Sequence, residues 1–215
     1  MATGTKAQRH GGTKCEFPPP VPASQLGHLT VITGCMFSGK TTELLRRLDR
    51  YPPGQVLAFK HECDVRYRPD AIVTHDGASR PAHRVAAAES VPRFLHPGIR
   101  AIAFDEAHFF DQTLVDLSRE LSAIGVDVLM TALNVNSWGR PFLWVQRLTE
   151  RADDAVQRTA SCARCGLPAD RTQRLTPIVD RQMVGGSESY EPRCRTCWTL
   201  PPTARTRGAT DHPRP

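Results

Sequence analysis

Gly34-Cys35-Met36-Phe37-Ser38-Gly39-Lys40-Thr41 stands between a β-prone run, Leu29-Thr30-Val31-Ile32-Thr33, and a helix-periodic run in which Leu44, Leu45 and Leu48 recur among Glu43, Arg46 and Arg47. The octet fits G-x-x-x-x-G-K-[ST], and its flanks supply the strand and the helix that the motif requires. The chemistry needs these residue types. Glycines let the backbone fold tightly, so that its N–H groups converge on phosphate oxygens, and the following helix adds its positive end. Lys40 reaches the terminal phosphates, and the Thr41 hydroxyl suits Mg²⁺. The stretch therefore predicts a nucleoside triphosphate as ligand, held by every residue from Gly34 to Thr41. A strand-to-helix turn that merely contains a lysine is the plainer reading, and the flanks argue against it.

Outward from the octet, Pro52-Pro53-Gly54 ends the helix and Val56 to Lys60 reads as a second strand. Ile99 to Phe104 is a third. Phe109 to Ile124 is amphipathic and helical until Gly125, Val126 to Ala132 is a fourth strand, and Pro141 to Thr149 a further helix. This alternation predicts an α/β fold of the P-loop NTPase type, a mostly parallel sheet with flanking helices. Asp105-Glu106 closes the third strand. Side chains alternate along a strand, so the two carboxylates can divide the work. Asp105 suits the Mg²⁺ position and Glu106 the general base toward an acceptor hydroxyl.

The chain has 215 residues, 40% hydrophobic and 23% charged, which excludes a wholly disordered or fibrous protein. No apolar run approaches the ~20 residues of a membrane helix, and the start, MATGTKAQRHGGTKCEF, has no apolar stretch of a secretory signal. Lys plus Arg exceed Asp plus Glu by 28 to 22, a mild surplus that suits anionic ligands. Seven cysteines include two tight pairs, Cys162-x-x-Cys165 and Cys194-x-x-Cys197, which favour metal in a reducing cytoplasm over disulfides. Four thiolates so arranged close a tetrahedral structural Zn²⁺ site. A redox pair is the alternative. Cys35 reads as a small packing residue. Proline and glycine content divides the chain into a flexible arm (1–25), an α/β kinase domain (26–158), a zinc-binding module (159–198) and a flexible tail (199–215).

From about Leu26 to Trp198, the octet, Asp105-Glu106 and the cysteine pairs, in that order, resemble the zinc-containing, tetrameric cytosolic thymidine kinase family. Thr42-Glu43-Leu44-Leu45-Arg46-Arg47, Asp64-Val65-Arg66-Tyr67, Thr74-His75-Asp76 and Ala107 with Phe109-Phe110 add to the likeness, as do Thr172-Gln173-Arg174, Gly185-Gly186 and Tyr190. The resemblance implies transfer of the γ-phosphoryl of ATP to the 5′-hydroxyl of thymidine or deoxyuridine, in a homotetramer, with dTTP as a candidate feedback inhibitor. It places Glu106 as catalytic base and Asp64, Arg66, Asp105, Ala107 and His108 on the ATP side. It puts Met36, Phe109, Leu133, Phe142 and Thr172 in the base pocket. A lasso loop closes over the nucleoside through backbone groups of Arg181, Gln182, Met183, Val184 and Gly185, with Tyr190 beside sugar or base.

Two departures stand out. His108 replaces a usual Gln, which brings an expected pH dependence. Ser137 falls where the family carries an aromatic, and Trp138 is one step along. The competing reading is a P-loop ATPase whose zinc ribbon binds nucleic acid through Arg164, Arg171, Arg174, Arg193 and Arg195.

Overall fold

A computed structural model describes residues 17–66, 68–177 and 185–201. The strands, in chain order, are β1 (Leu29–Gly34), β2 (Val56–His61), β3 (Ala71–Val73), β4 (Ser79–Pro81), β5 (His83–Val85), β6 (Ala101–Asp105), β7 (Asp127–Leu133), β8 (Asp154–Arg158), β9 (Ala160–Ser161), β10 (Pro168–Ala169), β11 (Arg171–Arg174) and β12 (Tyr190–Arg193). The α-helices are α1 (Lys40–Leu48), α2 (Thr113–Ala123) and α3 (Leu143–Arg151). Six strands form one sheet in the order β5-β2-β6-β7-β1-β8, and every neighbouring pair is parallel.

Adjacent residues of β1 serve opposite faces, as strand pleating dictates. Val31 packs into the cluster that holds Leu114, Leu117 and Leu121 of α2 and Val145 and Leu148 of α3. Ile32 packs with Leu44, Leu45 and Leu48 of α1 and with Leu129. A sheet buried on both faces explains why its strands read as continuous apolar runs. The phosphate octet and Asp105 both fall at the carboxyl ends of β1 and β6, where open parallel sheets form their ligand crevice.

The long helix expected from Phe109 begins instead at Thr113. A short 3₁₀ turn, Ala107–Phe109, precedes it, and the Asp111 carboxylate accepts from Thr113 N (2.8 Å) at the start of α2. Edge strands β5 and β8 carry too little apolar pattern to have been read. Within the expected arm, Phe17 packs against the core and Val21 N donates to Ala123 O (2.8 Å). In the expected tail, Thr199 N donates to Gln173 Oε1 (2.8 Å).

Candidate active site

The phosphate loop turns where only glycine fits. A Cβ on Gly34 would lie 2.5 Å from both Arg158 O and Ser38 Oγ, and Gly39 enters α1 in the left-handed region (φ 75°). Inside the loop, Cys35 O accepts from Ser38 Oγ and from the buried Lys40 Nζ, each at 2.8 Å. Thr41 Oγ1 donates to Asp105 Oδ1 (3.2 Å), which brings together the two oxygens expected to serve Mg²⁺. A cavity of about 150 Å³ lies here, lined by Lys40, Thr41, Asp64, Arg66, Asp105, Glu106 and Lys60, among others. Sequence reading missed Lys60. It is buried at the end of β2, with its Nζ 3.5 Å from Asp64 Oδ2. Its signal was a lysine closing an otherwise apolar parallel strand.

The adjacent carboxylates do divide. Thr131, also missed, sits on β7 between the strands that carry Asp105 and the loop. Its hydroxyl donates to Asp105 Oδ1 (2.6 Å) and accepts from Glu106 N (2.9 Å). Glu106 occupies the left-handed region (φ 52°), a strained conformation for a residue with a side chain. Arg66 bridges the site, donating through Nε to Asp64 Oδ1 (2.8 Å) and through its terminal nitrogen to Glu106 Oε1 (2.7 Å). Burial alone would raise Glu106, but Arg66 and Lys40 hold it well below the usual carboxylate range. Burial and the Glu106 charge push Asp105 up to about 6. Glu106 Oε2 is buried and has no hydrogen-bond partner among the described residues.

A second cavity, of about 420 Å³, shares Met36, Arg66 and Glu106 with the first. It gathers Phe109, Leu133, Phe142, Thr172, Gly185 and Tyr190, and with Met36 these are all the sequence-predicted nucleoside contacts that lie within the described residues. Arg181, Gln182, Met183 and Val184 lie outside them. Trp138 and Ser137 line the same cavity, and Asn136 Oδ1 fixes their turn by accepting from Trp138 N and Arg140 N, each at 3.0 Å. Trp144, unforeseen, also lines it, and its indole N–H is buried without a hydrogen-bond partner among the described residues. Arg174 is buried and donates to Tyr190 Oη (3.1 Å), with its guanidinium 5.4 Å from that ring.

His108 lines this second cavity and not the phosphate cavity. Its Nδ1 accepts from Leu133 N (3.3 Å), which assigns the ring proton to Nε2. The same nitrogen lies 3.3 Å from Glu106 Oε2, and carrying no proton it donates nothing there. Burial, aided by Lys40 and Arg66, lowers the imidazole to about 4 against the pull of the Glu106 charge. The ring is therefore neutral across the physiological range, and the expected pH switch at this residue is not present.

The four paired cysteines converge after β9. Their sulfurs all lie within 4.8 Å of one another, with Cys165 Sγ and Cys194 Sγ 3.6 Å apart. Zn–S bonds of ~2.3 Å in a tetrahedron require sulfur separations of ~3.8 Å, so the donor set fits zinc. Burial opposes ionisation of Cys162, yet backbone N–H groups around the knuckle outweigh it and bring that thiol down to about 6. The nearby arginines are turned inward or paired. Arg193 bonds Glu191 and Cys197 O, Arg171 and Arg195 face Asp170, and Arg174 is buried. Nothing in this pattern favours a nucleic-acid surface.

The parallel sheet, the phosphate loop at its carboxyl edge and the acidic pair beside it define a P-loop nucleotide-binding protein. A family model for thymidine kinase matches residues 27–198. The thymidine kinase of Mycoplasma capricolum subsp. capricolum (strain California kid) is 33% identical over 195 residues, spanning 83% of this chain and 92% of that protein. The chain belongs to the thymidine kinase family. Among solved structures, the large terminase of a thermophilic bacteriophage overlaps 64% of this chain and 42% of its own, at 12% identity and a TM-score of 0.35, and carries no weight in the reading.

Proposed function

We propose that this chain transfers the γ-phosphoryl group of ATP to the 5′-hydroxyl of thymidine, giving dTMP and ADP. The observation that carries the reading is the meeting of a phosphate cavity and a nucleoside-sized cavity at Glu106. The loop N–H groups and Lys40 cradle the phosphates and oppose the charge that builds on the transferring group. Thr41 and Asp105 would hold Mg²⁺, which supplies further charge neutralisation when bound. Glu106, ionised and with Oε2 unpartnered, accepts the proton of the attacking hydroxyl, while Arg66 keeps the carboxylate charged and aimed. Phe109, Phe142, Trp138 and Tyr190 enclose the base and sugar, with Trp138 standing in for the aromatic missing at Ser137. The cysteine cluster holds one structural zinc, which ties the base of the lasso. The family resemblance further supports a cytoplasmic homotetramer inhibited by dTTP.

The test is a panel of thymidine, deoxyuridine, deoxycytidine and purine deoxynucleosides, each assayed with ATP and Mg²⁺. Thymidine is expected to give the highest kcat/KM and deoxyuridine the next, with purines inert. ATP hydrolysis indifferent to every nucleoside would refute the reading.

A further inference from the structure

The phosphate loop is tied from outside by the cysteine module. Cys35, the second residue of the octet, is completely buried, and its thiol donates to Ala169 O of β10 (3.3 Å). The next residue, Met36, donates its backbone N–H to Thr172 Oγ1 of β11 (3.0 Å). Cys35 also packs in one small core with Ala169 and with Cys162 and Cys194 of the four-sulfur cluster. Its thiol and its carbonyl therefore point at different parts of the molecule. The thiol faces the module, while the carbonyl faces inward and receives Ser38 Oγ and Lys40 Nζ.

We propose that Cys35 is a positioning residue for nucleotide binding, through which the cysteine module sets the orientation of the 35–36 peptide and hence of Lys40. The peptide is fixed at one end by the thiol and at the other by the Met36 N–H. Releasing the outer tether frees the carbonyl that orients Lys40 and Ser38. The nucleoside cavity touches this peptide only through Met36, so the effect falls on the triphosphate. Burial raises the Cys35 thiol above its usual value, which keeps the S–H donor intact at neutral pH. The inference presumes only that the octet binds nucleotide, and its test does not need phosphoryl transfer.

The test is the affinity of the full-length, metal-loaded protein for a fluorescent ATP analogue, measured without nucleoside on wild type, Cys35→Ala and Cys35→Ser. Loss of one hydrogen bond that orients a charged group predicts about five- to tenfold weaker binding in Cys35→Ala. Cys35→Ser keeps a donor and recovers most of the affinity. Equal affinity of Cys35→Ala and wild type overturns the proposal, as does a serine variant no better than alanine. Should Cys35→Ala fail to fold, Thr172→Val and Thr172→Ser ask the same question of the second tether. Weakened binding in valine alone supports the proposal, and unchanged binding in both overturns it. Thymidine phosphorylation failing in the wild type while these shifts appear would refute the kinase reading and leave this inference standing.

Discussion

The two cavities that meet at Glu106 are built on opposite plans. The phosphate side rests on one contiguous octet, Gly34 to Thr41, whose residue types are dictated by the backbone turn and by the charge it must face. The nucleoside side is assembled from Met36, His108 to Phe109, Leu133, Trp138, Phe142 and the β11–β12 hairpin, brought together over more than a hundred residues of chain. A contiguous site loses function when one charged side chain is removed. A dispersed site lined by many apolar groups loses affinity by degrees, since each supplies a fraction of the contact area.

Substitutions sharpen this contrast, starting with the largest effect. Glu106→Gln, at the junction, is expected to cut kcat by about two to four orders of magnitude while leaving ATP binding intact, measured by steady-state kinetics alongside nucleotide titration. Unchanged turnover would remove Glu106 from the base role. Lys40→Ala should cost about two to three orders of magnitude, since it removes a preorganised charge from the transferring phosphate. On the dispersed side, Trp138→Ala should raise the KM for thymidine about tenfold with little change in the KM for ATP, in line with the loss of one stacking face. Equal rises in both would break the division between the cavities.

Two further predictions concern the framework. Cys165→Ser should lose the bound metal, read as zinc per chain falling from one toward zero by elemental analysis, and should lower the melting temperature. Full zinc content in that variant would undo the ligand assignment. The smallest effect belongs to His108. Its folded value near 4 lies below the ~6.5 of an unfolded histidine, so between those values the unfolded chain binds the extra proton. Stability from this group is complete above pH ~6.5 and is lost as the pH falls toward 4, at about 1 kcal/mol per pH unit. Thermal melts between about pH 7 and pH 4.5 should show that decline in wild type, and His108→Gln should flatten it.

The same contrast decides what was legible in the sequence. The octet, Asp105-Glu106 and the cysteine pairs announce themselves because their chemistry fixes both residue type and local spacing. The central strands were legible because a sheet covered on both faces must be apolar throughout. Edge strands β5 and β8 escaped for the opposite reason, since their half-exposed pattern of His, Arg, Asp and Gln carries no period. The start of α2 was misplaced because Phe109 and Phe110 continue its apolar pattern although the chain is still turning through Ala107–Phe109. Thr131, Lys60 and Trp144 matter only through partners distant in sequence. The neutrality of His108 is likewise a product of burial, which no local pattern announces.

The account stands on a phosphoryl group that passes between the two cavities to a 5′-oxygen beside Glu106. The direct measurement is label transfer from γ-³²P-ATP in the presence of Mg²⁺, to thymidine and, in parallel, to 5′-deoxythymidine, which retains only the 3′-hydroxyl. Label is expected in dTMP with one ADP formed per transfer, and none in the 5′-deoxy compound. Label released as inorganic phosphate, or carried equally by the 5′-deoxy compound, would contradict it.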